Sequence, residues 1–246
     1  MCLIVVALGA TPRYPLIVAA NRDEQHARPT ASAAWWTEPP NVFGGRDLLA
    51  GGTWLAVDRR GRFAAVTNVR DAARPTGPRS RGALVTDFLA GEDSAERYAA
   101  RAARDGDEFG PFNLLVYDGR ELHFASNRAA AAALGAALHA FSNGPAGTEW
   151  PKTSSARTGV ARLLEAPPHD GPLIESLFAL LAERDESAPA ERQYQHAHFV
   201  VNPRYGTRCS TVVLVDDGGR LTFVERSFDS TGERVGEVRE TFELAR

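Results

Sequence analysis

Cys2 is the residue whose type and place hold most chemical promise. With so small a side chain at position 2 the initiator Met is usually removed, which leaves a thiol beside its own α-amine. An α-amine titrates near ~7.7–8, so close to neutrality it accepts the thiol proton, and the pair forms a self-contained nucleophile. A second cluster, Asn21-Arg22-Asp23-Glu24, follows directly on the apolar run Leu16–Ala20. If the strand continues through it, the period of two puts Asn21 and Asp23 on one face and Arg22 and Glu24 on the other. Asp23 would then orient an amine on one side, while the other side holds a salt bridge. Each feature also has an ordinary reading: a small buried cysteine, and a solvated turn with a weak surface ion pair.

Other chemistry-bearing residues read mainly as structure. His196 and His198 alternate as a metal pair would, but no third ligand stands at a metal spacing, so no metal site is assigned. Cys209 precedes an apolar run and reads as buried and inert, with a Cys2–Cys209 contact left open. Trp35, Trp36, Trp54 and Trp150 either line an apolar pocket or serve as core aromatics. Gly44-Gly45 and Gly51-Gly52 open no helix with a following Lys-Ser/Thr, which argues against a nucleotide cradle.

The elements that must position these residues come in pairs. Short β-branched runs at residues 3–8 and 16–20, parted by Gly9, Pro12 and Pro15, predict a strand hairpin. Further hairpins are expected for Thr53–Asp58 with Arg62–Thr67, Phe112–Tyr117 with Glu121–Ala125, and Ser210–Val215 with Arg220–Glu225, each around a glycine-bearing turn. Residues 26–45, rich in Pro and Ala, read as an irregular excursion, and the tract Ala129–Ala133 as solvent-side. Helices are expected at Ser80–Leu89, Ser94–Arg104, Ser154–Leu164 and Pro172–Arg184. Hairpins rather than βαβ units point to an α+β chain of antiparallel sheets with segregated helices.

The whole chain has 246 residues, 28 Lys+Arg and 31 Asp+Glu, for a net charge of −3, so it has no general attraction for nucleic acid. One basic residue, Lys152, is a lysine and the other 27 are arginines, as GC-rich coding would produce. Two cysteines cannot make a disulfide framework. No apolar run approaches the ~20 residues of a membrane helix, and Met1–Ala10 lacks a cationic leader segment. With no long linker and no repeat, one cytoplasmic domain spanning 1–246, not inserted in a membrane, is expected.

Met1-Cys2-Leu3-Ile4, Asn21-Arg22-Asp23-Glu24, Gly44-Gly45-Arg46-Asp47 and Gly51-Gly52-Thr53-Trp54 resemble the NRDE family, also called the transport and Golgi organisation family. Matching segments continue in order through Thr67-Asn68-Val69-Arg70, Ser80-Arg81-Gly82, Phe112-Asn113-Leu114-Leu115, Ser142-Asn143-Gly144-Pro145, Trp150-Pro151-Lys152 and Thr207–Asp216. That family is in turn similar to cysteine-type N-terminal nucleophile hydrolases such as penicillin V acylase and bile salt hydrolase. The resemblance implies a four-layer αββα sandwich with two antiparallel sheets. It implies Cys2 as nucleophile, Asp23 as holder of its amine, Asn68 as oxyanion-hole residue, Asn143 as a second asparagine near substrate, and Arg208 as a late arginine of the site. Asn21, Arg22, Trp54 and Arg70 are the candidates for substrate contact. The acylases carry Arg-Asn-x-Asp in the second strand, whereas this chain reads Ala20-Asn21-Arg22-Asp23, with its arginine two positions later.

Two activities fit. One is cysteine-dependent hydrolysis of an amide or acyl compound that needs no cofactor. The other, implied by links of the family to haem trafficking and to lipid or acyl-CoA metabolism, is non-catalytic binding of haem or an acyl ligand. The oligomeric state stays open.

Overall fold

The computed structural model describes residues 2–69, 77–167, 169–185, 187–189 and 191–245. Their secondary structure runs β1 (Cys2–Leu8), β2 (Leu16–Gln25), β3 (Thr30–Trp35), β4 (Val42–Asp47), β5 (Leu55–Asp58), β6 (Phe63–Asn68), α1 (Gly82–Ala90), α2 (Ala95–Arg104), β7 (Phe112–Tyr117), β8 (Leu122–Ser126), β9 (Ala132–Leu134) and β10 (Ala137–Phe141). The series closes with α3 (Pro151–Glu165), α4 (Asp170–Leu181), α5 (Gln193–His196), β11 (Tyr205–Val215), β12 (Arg220–Phe228) and β13 (Arg234–Glu243). The chain sorts into two compact units, each assembled from separated stretches of sequence.

The first unit comprises Met1–Ala27, Ala136–Ser142 and Glu149–Phe242. Its sheet has the order β10-β1-β2-β11-β12-β13, with antiparallel pairing in β10-β1-β2-β11-β12. Odd-numbered residues of the first hairpin (Leu3, Val5, Ala7, Ile17, Ala19) join Val212, Leu214 and Val224 in a core with Ala156 and Val160 of α3 and Leu173, Leu177 and Leu181 of α4. Even-numbered Ile4, Val6, Val18 and Ala20 are equally buried on the opposite face. That two-sided burial is why β1 and β2 read as continuous apolar runs rather than alternating ones.

The second unit comprises Arg28–Gly135, Asn143–Thr148 and Glu243–Arg246. Its sheet has the order β3-β4-β5-β6-β7-β8-β9, antiparallel throughout. Helices α1 and α2 pack Leu84, Val85, Phe88, Tyr98 and Ala99 against Ala56, Ala64, Val66, Leu114 and Val116. Ser94 caps α2 by accepting the Arg97 N–H.

Residues 26–45 are not an irregular excursion. They contain β3 and the start of β4, which pair Trp35 with Phe43 and Ala34 with Gly44. The prolines that masked these strands, Pro39 and Pro40, lie in the connection between them, where a missing N–H costs nothing. Within the tract Ala129–Ala133, Ala132 and Ala133 belong to the edge strand β9, both exposed. The polar strand β13 and the short β10 were also absent from the hairpin pattern. Two family segments meet in this unit for a steric reason. A Cβ on Gly52 would lie 2.6 Å from the Gly82 carbonyl carbon, so Gly-Gly-Thr-Trp and Ser-Arg-Gly are backbone-packing motifs.

Candidate functional site

Cys2 is the first residue of β1 and pairs with Arg22 of β2. Its carbonyl oxygen accepts a hydrogen bond of 2.7 Å from Ser142 Oγ, just past the end of β10. Strand β1 is therefore pinned at its open end from the neighbour on one side and paired with β2 on the other. The side chain is 9% exposed. Burial pushes the thiol above its ordinary range and the Asp23 carboxylate adds to this, while the Asp23 backbone N–H and Arg22 pull the other way.

The tetrad lies on a strand, as period-two reasoning requires. Asn21 and Asp23 point to the helix-bearing face. Arg22 lies in a cross-strand row with Cys2 on one side and Cys209 on the other. Because β2 separates Cys2 and Cys209, they stand two strand spacings apart, ~10 Å, beyond the span of a disulfide. Both sulfurs are thiols. Burial, reinforced by Glu225, holds the Cys209 thiol well above its usual value, consistent with an inert residue.

Asp23 is buried, and its Oδ1 accepts a 2.7 Å hydrogen bond from Thr207 Oγ1. The Asp23 carbonyl accepts from Tyr205 Oη at 2.9 Å. Burial raises the carboxyl's affinity for its proton, and Lys152 and the Thr207 hydroxyl partly offset this.

Asn21 is a brace. Its Nδ2 donates to the carbonyls of Leu181 at 2.8 Å and His198 at 2.9 Å, and its Oδ1 accepts from Ser210 Oγ at 2.6 Å. The amide is thus committed to protein partners that tie the end of α4 to β2. His198 braces the same region. One ring nitrogen lies 2.8 Å from the Leu180 carbonyl and the other 2.8 Å from Ser155 Oγ.

Arg208 occupies a β-bulge. Thr207 pairs with Asp23 and Cys209 with Arg22, so the register slips by one residue at Arg208. In a regular strand residues 207 and 209 would share a face; the bulge sends Thr207 to Asp23 and Cys209 to Arg22 on the opposite side. The Arg208 guanidinium donates to the carbonyls of Gln25 at 3.0 Å and His26 at 3.1 Å, closing the end of β2.

The remaining candidates lie in the second unit. Asn143 is buried and donates to the Asn68 carbonyl at 2.6 Å, while the Asn68 side chain is exposed at the end of β6. Asn113 donates to the Gly144 carbonyl at 2.9 Å and to Thr67 Oγ1 at 3.4 Å, so the Thr67-Asn68, Phe112-Asn113 and Asn143-Gly144 segments form one polar network. Trp54 is half-buried, and its carbonyl accepts from the Val66 N–H at 2.8 Å. Arg70 lies outside the described residues.

Three residues beside Cys2 and Asp23 went unassigned in the sequence: Ser142, Thr207 and Lys152. Helix α3 begins at Pro151 rather than Ser154, which places Lys152 in its first turn. Lys152 is 0% exposed, and its charge environment is set by Asp23 and Cys2. One signal was available: a chain that otherwise uses only arginine keeps a lysine here. Among the described residues no cluster of His, Cys, Asp and Glu could hold a metal ion, and no helix is long and apolar enough to cross a membrane.

Comparison with known proteins places this geometry. Residues 1–230 match the family described as Transport and Golgi organisation 2. The Transport and Golgi organization protein 2 homolog of Bos taurus is 32% identical over 92% of this chain and 93% of its own length. The Homo sapiens homolog is 31% identical over the same shares, 92% and 93%. Among solved structures, a conjugated bile acid hydrolase from Clostridium perfringens aligns with TM-score 0.53 at 10% identity, covering 100% of this chain and 97% of that one. An N-acylethanolamine-hydrolyzing acid amidase ortholog from Caenorhabditis elegans aligns with TM-score 0.51 at 13% identity, covering 87% and 92%. At such identities the likeness is one of fold.

Proposed function

Because the chain belongs to the Transport and Golgi organisation 2 family and shares its fold with N-terminal nucleophile hydrolases, we propose that Cys2 is the nucleophile of an amide- or acyl-cleaving enzyme. The observation that supports this is the pairing of β1 with β2, which brings Asp23, fixed by Thr207, to the end of the strand that Cys2 begins.

With Met1 removed, the Cys2 sulfur attacks the acyl carbonyl and its proton passes to the Cys2 α-amine. The tetrahedral intermediate collapses, that proton goes to the departing amine, and water then hydrolyses the acyl-thioester. Asp23 holds the α-amine in place. The resemblance assigns an oxyanion role to Asn68 and a substrate-side role to Asn143; loss of an oxyanion donor commonly costs on the order of 10²–10³ in rate. Arg208 serves through the bulge and the end of β2, and Arg22 stands in the row beside the nucleophile. One structural neighbour is by name an amidase acting on N-acylethanolamines, so acyl amides are the substrate class to try first.

Intact-mass spectrometry tests the reading. Processed protein incubated with acyl amides and acyl-thioesters should lack Met1 and carry an acyl adduct on Cys2 that is absent from Cys2→Ala. If Cys2→Ala turns over such a substrate at the full rate, the nucleophile is not Cys2. If haem or an acyl-CoA binds and no adduct or turnover appears with any substrate, the protein is a carrier.

A further inference from the structure

We propose that Lys152 is a positioning residue for Cys2, its side-chain nitrogen setting the charge on Asp23 and thereby the ionisation of the strand end where Cys2 stands. The inference starts from a cost. Lys152 is fully buried, and among the described residues its Nζ has no hydrogen-bond partner; the ring of Trp150 lies 5.9 Å away. Lysines near a surface extend their ammonium into water, and this one does not. A buried cation left unpaired is among the most unfavourable groups a fold can hold.

Its position compounds the cost. Lys152 stands in the first turn of α3, which carries no acidic residue, so a positive charge there opposes the helix dipole. The charge that offsets it most is Asp23, in the same unit. The reverse also holds, since Lys152 favours the ionised form of Asp23 against its burial. The other charges acting on these groups are Arg22 on Cys2, Glu24 on Asp23 and the chain's amino terminus on both. A buried carboxyl and a buried amine therefore depend on each other for their charged forms. Without Lys152, Asp23 takes up a proton and no longer holds an amine at Cys2. The catalytic consequence rests on the hydrolase reading; the charge coupling does not.

The chain has a single lysine, so protein grown with lysine carbon-13 labelled at Cε gives one signal for this residue. In the unmodified sequence that signal should titrate below the ordinary lysine range. In Asp23→Asn it should move lower still, by about a factor of ten in proton affinity, because the charge favouring the ammonium is gone. Thr207→Val, which weakens the ionised form of Asp23, should move it in the same direction by less. An ordinary lysine midpoint in the parent protein, or one unmoved by Asp23→Asn, overturns the coupling. If acyl transfer is found, Lys152→Met should shift the acidic limb of kcat/KM to higher pH by about one unit while Lys152→Arg leaves it nearer the parent. Unshifted limbs in an active Lys152→Met enzyme likewise overturn the assignment. Absence of turnover with the NMR coupling intact refutes the hydrolase reading alone.

Discussion

Thr207 Oγ1 donates to Asp23 Oδ1 at 2.7 Å while accepting the Val200 N–H at 2.9 Å, so its single proton has one destination. A hydroxyl used in both senses fixes the carboxylate and the 198–200 segment together. Thr207→Val keeps the shape and removes both bonds. It should lower stability by about 1–3 kcal/mol, the cost of stranding buried polar groups, measured as a reduced urea midpoint with unchanged slope.

Asn21→Asp replaces two donated hydrogens by a carboxylate facing the carbonyls of Leu181 and His198. Acceptor against acceptor in a buried site is repulsive, and the new charge is also desolvated there. A loss of 3 kcal/mol or more, about the cost of an uncompensated buried charge, should appear as a large drop in Tm. A melting curve like the parent's would mean that Asn21 does not brace α4.

Substitution and deletion at position 208 should differ sharply. Arg208→Ala loses bonds to two carbonyls at a half-buried end and should cost about 1 kcal/mol. Deleting Arg208 removes the bulge, so Thr207 and Cys209 can no longer occupy their present faces together. The deletion variant should lose cooperative unfolding, which denaturant titration followed by fluorescence will report.

Stability should depend on pH through the buried pair. The Asp23 carboxyl is raised by burial, so its contribution is fully present below its unfolded value of ~3.9 and fades as pH rises through the folded one. Lys152 is lowered by burial, so its contribution is present above ~10.4 and fades as pH falls through its folded value. In Lys152→Met the carboxyl loses its compensating cation and moves higher. The variant's urea midpoint should therefore fall progressively behind the parent's as pH rises from about 4 to neutrality. A constant gap across that range would show the two groups to be uncoupled.

Cys2→Ala should fold. Removing one sulfur from a site at the strand end costs at most about 1–2 kcal/mol, while the backbone bond from Ser142 to the residue-2 carbonyl survives. Circular dichroism and Tm near the parent's, with no acyl adduct by mass, is the expected pair of results.

Much of this frame was legible because hairpins announce themselves locally. The pairs β5–β6 and β7–β8 fall within a residue or two of the predicted spans, and Ser94 marks the start of α2. Period-two reasoning divided Asn21 and Asp23 from Arg22 correctly because both faces of β2 are specified by burial. Strands β3, β9 and β13 escaped because alanine, proline and charged residues have weak strand propensity, and neighbouring strands supply what the sequence does not. The bulge at Arg208 is invisible without the partner strand. The burial of Lys152 is tertiary, decided by where α3 lands on the sheet.

Asp23 and Thr207 are separated by 184 residues. At ~5–20 residues per second of synthesis, roughly 10–40 s pass between the emergence of the first and the second from the ribosome. Throughout that interval the newborn chain's first hairpin has no β11 to pair with, and the Asp23 carboxylate lacks the hydroxyl that fixes it. The acid that neighbours Cys2 is thus a late acquisition, anchored only when the strand bearing its hydroxyl partner arrives.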